Sequence, residues 1–329
     1  MADTVATAAQ IERDSAFLRD VIGEVERVIV GQRGLIDAMV IGLLADGHIL
    51  LEGMPGLAKS LAAQSLAVAL GGTFKRIQFT PDLLPADLLG TQVFQPKSGE
   101  WTTRLGPVFA NFVLADEINR APPKVQSALL EATQERQVSL AGETRPLPAP
   151  FLVLATQNPV EHDGTYTLPE AQLDRFMLKI VVGYPDRDDE QRIVERMALA
   201  STRHEVVPVA TPAQLLAARA LLAKVFVDEK IVRYVVDLVR ATREPESIGL
   251  AELRAQILFG ASPRAAVSWT LAARAHAFLR GRAFVTPHDV KSVGLDVLRH
   301  RVFTTYEAEA EGLTSEHVIR KVFDHTPVP

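Results

Sequence analysis

The stretch His48-Ile49-Leu50-Leu51-Glu52-Gly53-Met54-Pro55-Gly56-Leu57-Ala58-Lys59-Ser60 reads as a buried strand entering a glycine-rich turn, with a lysine and a hydroxyl opening the helix that follows. Such a turn surrounds a β-phosphate with successive backbone N–H groups and a helix N-terminus. The lysine neutralises charge on the β- and γ-phosphates, and the hydroxyl holds Mg²⁺. Gly53, Pro55, Gly56, Leu57, Ala58, Lys59 and Ser60 are therefore candidate ATP-binding residues, and Ser60 is also a candidate Mg²⁺ ligand. The usual pattern has glycine just before the lysine. Alanine is the smallest departure from it, and Ala58 is expected at φ < 0 as a first helical residue.

Working outward, the segments 49–52, 74–79, 112–115 and 151–156 read as strands separated by helical patterns or insertions, which predicts a parallel sheet flanked by helices. Upstream, residues 11–45 have helical apolar spacing broken at Val28-Ile29-Val30-Gly31-Gln32. The β-branched run and glycine there predict a turn between two helices. Val30, Gly31 and Gln32 are candidates to sit near the adenine. The stretch 87–104 is too long for a simple crossover and is rich in glycine, threonine and aromatics, as an inserted hairpin would be. A second hairpin is predicted at 137–145, a period-2 strand entering a glycine turn.

After Gly183-Tyr184-Pro185-Asp186 the pattern changes. Helices are predicted at 190–200, 212–223, 229–243, 263–280, 287–298 and 315–323. Thr211-Pro212, Ser262-Pro263 and Thr286-Pro287 each read as a hydroxyl N-cap followed by proline at the first helical position. The expected organisation is an α/β nucleotide-binding core with N-terminal helices over residues 1–185 and an all-helical lid over 186–329. Residues 1–10 and the Pro-Val-Pro end are expected to fray.

A chain of 329 residues with 47% hydrophobic content can bury about two sizeable cores. With no cysteine there is no disulfide and no thiolate metal site, and the eight histidines show no HExxH spacing. The N-terminus lacks an apolar signal segment, and no apolar run approaches a membrane span, so a cytoplasmic address is expected. The net charge of −5 argues against obligate binding of long nucleic acid without settling it.

Four further places carry chemistry. Phe112-Val113-Leu114-Ala115-Asp116-Glu117 is an apolar strand ending in two acids, and strand C-termini in a parallel sheet face the ligand crevice. Asp116 is expected to support Mg²⁺, and Glu117 to orient and activate the attacking water. The strand at 151–156 ends in amides, and Asn158 could bind the γ-phosphate and the water without adding negative charge; a turn-initiating Asn-Pro is the plainer alternative. A short helix at 168–176 ends in Asp174-Arg175. Arg175 could reach a neighbouring subunit's nucleotide, or form an ordinary surface ion pair. Arg264, in the first turn of a lid helix, could reach across to the γ-phosphate, or be solvated as first-turn arginines usually are; Arg120 is a further candidate for a subunit contact.

The blocks GMPGLAKS, NFVLADEINRAPPKVQSALLEA, PFLVLATQNPVEHDGTYTLPEAQLDRF, GASPR and GRAFVTPHDVKSVGLDVLRHRV together resemble the MoxR family of AAA+ ATPases over nearly all of residues 30–323. The resemblance implies a hexameric ring with ATP at subunit interfaces, where Lys59, Ser60, Asp116 and Glu117 act in cis. It implies sensor 1 at Asn158, the arginine finger at Arg175 and sensor 2 at Arg264, with Ala58 standing where many members carry alanine. The two hairpins would be the helix-2 insert and the hairpin before sensor 1. Family members often remodel protein clients with a partner that carries a von Willebrand factor A domain. The competing expectations are a nucleic-acid motor and a nucleotide-gated scaffold with little hydrolysis. The hairpin tip, with Glu143 beside Arg145, and the lack of a helix-turn-helix or zinc module rank the motor second, and Glu117 with two arginine candidates argues against the scaffold.

Overall fold

In the computed structural model, residues 7–159, 165–199 and 204–329 are described; the first six residues, the Val160–Gly164 part of the quoted block and Ala200 lie outside them. Helix α1 (Ala8–Glu26) and helix α2 (Arg33–Leu44) precede strand β1 (Ile49–Glu52) and helix α3 (Lys59–Ala69). Strand β2 (Phe74–Gln78) leads through helix α4 (Pro85–Leu89) into a hairpin of β3 (Gly90–Gln95) and β4 (Glu100–Leu105). Strand β5 (Phe112–Asp116), helix α5 (Pro123–Glu135), a second hairpin of β6 (Gln137–Leu140) and β7 (Glu143–Pro146), and strand β8 (Leu152–Gln157) follow. Helix α6 (Glu170–Leu173) and strand β9 (Leu178–Val181) complete this half.

The sheet is five-stranded and parallel, in the order β2-β5-β8-β1-β9. Period-2 alternation divides its side chains between two cores. Ile49, Leu51, Phe112, Leu114, Leu152 and Leu154 face one cluster, whereas Leu50, Val113, Ala115, Val153 and Ala155 face another with α5. Val125, Leu129 and Ala132 of α5 are buried in the second cluster, as their helical spacing predicts. Strand β9 was not anticipated: Leu-Lys-Ile-Val is short, and it follows the Arg175 turn with no punctuating glycine or proline.

The C-terminal half is helical: α7 (Arg187–Val194) running into a π turn at Glu195–Leu199, α8 (Pro212–Leu222), α9 (Glu229–Ala241), α10 (Pro263–Leu279), α11 (Pro287–Leu298), α12 (Tyr306–Ala310) and α13 (Ser315–His325). One small antiparallel pair, β10 (Ile257–Phe259) with β11 (Phe303–Thr304), interrupts it. Thr211 and Thr286 form the predicted N-caps, each completed by a side chain three residues on. Ser262 does not. Its hydroxyl is instead turned toward Asp174, donating to Oδ2 at 3.2 Å, and accepts no helix N–H. The first apolar cluster runs without a break from α1, α2 and α3 into α8 to α11 and α13, so the helical half is packed against the sheet half rather than tethered to it.

His48, just before β1, is buried with both ring nitrogens engaged: Val153 N–H donates to Nδ1 at 3.0 Å, and Nε2 donates to the Thr133 carbonyl at 3.2 Å. That pattern is the neutral imidazole. Burial, and secondarily the Arg136 guanidinium, push its pKa from 6.5 down to about 3. The folded state therefore binds fewer protons, and stability is present in full above pH 6.5 and falls as the pH drops toward about 3. His300, held well below its ordinary range by burial, acts in the same direction, while Asp296, pushed up to about 6 by burial, opposes between pH 6 and 3.8. The unfolding free energy extrapolated from urea titrations should fall below pH 6.5 by up to about 1.4 kcal/mol per pH unit for His48, and His48→Gln should flatten the slope.

Candidate active site

The turn between β1 and α3 builds one wall of a cavity of about 520 Å³, lined by Pro55 to Leu61, Asp116, Glu117, Thr156 to Asn158 and the Val28–Val30 turn. Gly56 takes φ +86°, a region open to glycine at little cost. Gly53 is required by proximity instead: a Cβ there would lie 2.6 Å from the Val182 carbonyl. Ala58 departs from expectation. It caps α3 at φ +56°, so the helix starts at Lys59 and the turn needs a left-handed residue where the sequence supplies alanine. That strain is about 1–2 kcal/mol, which the surrounding loop must hold.

Lys59 Nζ donates to the carbonyls of Gly53 and Met54, the latter at 3.0 Å, folding the ammonium back over the loop. Burial lowers its pKa, and Asp116, Glu117 and Glu52 oppose that shift. Ser60 Oγ lies 3.3 Å from Asp116 Oδ2. These are hard oxygen donors, the kind Mg²⁺ takes in small number while phosphate and water complete its octahedron. The pair fits the expected metal.

Asp116 is positioned from two sides. Thr156 Oγ1 donates to its Oδ1 at 2.6 Å, and Arg76 donates to its Oδ2 through Nε at 2.9 Å and Nη2 at 2.5 Å. Glu117 adopts φ +56° and receives Gln78 Nε2 at 2.9 Å and Arg120 Nη1 at 3.0 Å, both on Oε2. Its Oε1 has no hydrogen-bond partner among the described residues. Its own N–H donates to Thr156 Oγ1 at 2.8 Å, so one buried hydroxyl ties the two acids together. Thr156→Val would strand both bonds. It should lower stability by about 1–3 kcal/mol, read as a shifted denaturant midpoint.

Of the three residues expected near the adenine, two line this cavity. Val30 and Gln32 line the cavity together with Val28 and Ile29, whereas Gly31 turns away and packs against Asp189. Asn158 lines the cavity and is buried. Arg175 and Arg264 do not line it. They flank a second cavity of about 280 Å³ with His48, Arg136 and Asp174, where Arg264 Nη1 lies 3.7 Å from Asp174 Oδ2. In this arrangement Arg264 does not reach the phosphate loop of its own chain. Arg175 makes no ion pair or side-chain hydrogen bond among the described residues.

Arg76, Gln78 and Thr156 were missed from the sequence. The first two share a face of β2 at period 2, and Gln78 pairs in register with Asp116. Polar residues alternating at the end of a strand beside an acid-tipped strand were the available signal.

A family model described as the ATPase family associated with various cellular activities (AAA) matches residues 48–178, and an AAA lid domain model matches 251–322. The chain is 51% identical to Chaperone MoxR1 of Mycobacterium tuberculosis over 95% of this chain and 82% of that protein. It is 35% identical to Protein MoxR of Paracoccus denitrificans over 95% of this chain and 97% of that one. It is also similar to the crystal structure of a presumed ATPase from Cytophaga hutchinsonii, with TM-score 0.91, 45% identity and 97% of each chain covered. The doubly flanked sheet, the phosphate loop and these likenesses agree: the chain belongs to the MoxR family of AAA ATPases.

Proposed function

We propose that the protein hydrolyses ATP to ADP and phosphate at sites shared between subunits of a hexameric ring and uses the cycle to remodel protein clients. One observation carries this reading. Lys59, Ser60, Asp116, Glu117 and Asn158 meet at a single cavity, while the two arginines needed to offset transition-state charge lie outside it. Lys59 would leave its carbonyl partners for the β- and γ-phosphates, and Asn158 would hold a γ-phosphate oxygen. Glu117 would accept the proton of the attacking water at Oε1. Ser60 and Asp116 would hold Mg²⁺, which neutralises phosphate charge when bound. Arg175, and Arg264 beside it, would approach the γ-phosphate of the next subunit.

The client role and a partner bearing a von Willebrand factor A domain rest on the family resemblance; Chaperone MoxR1 is named for such a role. A nucleic-acid motor is the weaker reading: at the second hairpin the charge of Arg145 is offset by Glu143 at 2.7 Å. No helix among the described residues is long and apolar enough to cross a membrane. A cytoplasmic site of action is proposed. The test is the ATPase rate per subunit against protein concentration. A rate that rises as subunits associate supports shared sites, and a flat rate would reject them.

A further inference from the structure

The Arg301 side chain is 1% exposed. It follows α11 in the helical half, yet most of its hydrogen bonds cross to the sheet half. Nε donates to Asp174 Oδ1 at 2.7 Å, Nη1 to the Met177 carbonyl at 3.0 Å, and Nη2 to the carbonyls of Phe176 at 2.6 Å and Asp174 at 3.2 Å. Only the bond from Nη1 to the Val297 carbonyl, at 2.5 Å, and a long one to Ser268 Oγ stay within the helical half. Next to it, His300 Nε2 donates to the Phe176 carbonyl at 3.0 Å. The other Asp174 oxygen receives Ser262 Oγ, also from the helical half.

A buried guanidinium is expensive unless every donor is used and the charge is paired. Here the acceptors are concentrated on residues 174, 176 and 177. They bracket Arg175, whose own side chain is left out of the network. A fork of fixed geometry suits such a role, since it sets both the position and the orientation of the backbone it holds.

We propose that Arg301 is the positioning residue of Arg175: it fixes the backbone on both sides of that arginine from the lid, so that lid movement is transmitted to the nucleotide of the neighbouring subunit. This rests on reading Arg175 as acting in trans. A displacement of about 1 Å at a charge-stabilising group can lower turnover about 10²-fold without touching nucleotide binding.

The test uses Arg301→Lys and Asp174→Asn in the full chain, with kcat, KM for ATP and binding of a fluorescent ATP analogue measured for each. Both are then mixed with Lys59→Ala subunits, which supply an intact Arg175 but no competent phosphate loop. The expected result is kcat lower by about 10- to 100-fold, KM and analogue affinity within about 3-fold of the parent, and a several-fold rise in rate on mixing. Unchanged kcat, or a loss that Lys59→Ala subunits do not restore, would overturn the proposal. So would loss of folded protein in both variants, since the near-isosteric Asp174→Asn would then show the network to be structural. If Arg175→Ala is itself not rescued by Lys59→Ala, the trans reading fails, and that outcome is separate because the Arg301 network is intact in that variant.

Discussion

Arg175→Ala is expected to bind ATP as the parent does and to hydrolyse it about 10³-fold or more slowly. Arg175 lies away from the phosphate-loop cavity of its own chain and at a second cavity with Arg136 and Arg264, so its removal leaves the lining of the nucleotide site as it was. Its side chain holds no other group in place among the described residues, and the variant should therefore fold normally. The loss belongs in kcat, because a guanidinium presented by a neighbour offsets charge that develops only as the γ-phosphoryl group departs. A thermal midpoint near that of the parent, together with unchanged analogue binding, would separate this result from misfolding. Hydrolysis at the parent rate would remove Arg175 from the reaction.

Glu117→Gln should lower turnover by about 10²- to 10⁴-fold while retaining ATP. The amide keeps nearly the shape of the acid and can accept from Gln78 and Arg120 through its oxygen, so the support of the site survives. What it cannot do is accept a proton. Bound ATP should consequently persist, and rings should accumulate in the ATP state. The check is quantitation of ATP and ADP retained after rapid gel filtration; ADP in parent-like proportion would mean that another group activates the water.

Much of the core was legible because its signals are local. Gly53, Gly56, Lys59 and Ser60 follow an apolar strand, Asp116 and Glu117 end another, and the physics of a phosphate cradle needs just such neighbours. The second hairpin and the capping threonines were similarly readable, since turn and cap chemistry span only a few residues. The placement of Arg264 was not. Its cap residue Ser262 and its own guanidinium both turn to Asp174, 88 positions away from Ser262, and no local pattern reports so distant a carboxylate. Ala58 shows the same limit in miniature. Its identity suggested an ordinary helical residue, whereas closure of the phosphate loop imposes a positive φ. Arg76 went unnoticed because a basic residue in a half-exposed strand is ordinary until the sheet order sets it beside Asp116.

Complementation between Lys59→Ala and Arg175→Ala tests the shared site most directly. Each variant alone is expected to be nearly inactive, the first for want of nucleotide binding and the second for want of the trans arginine. Mixed in equal amounts, they form interfaces that pair the intact phosphate loop of one with the intact Arg175 of the other, and ATPase activity should reappear at a substantial fraction of the parent rate. A mixture as inactive as its components, with mixed rings shown to form, would contradict catalysis across the subunit interface.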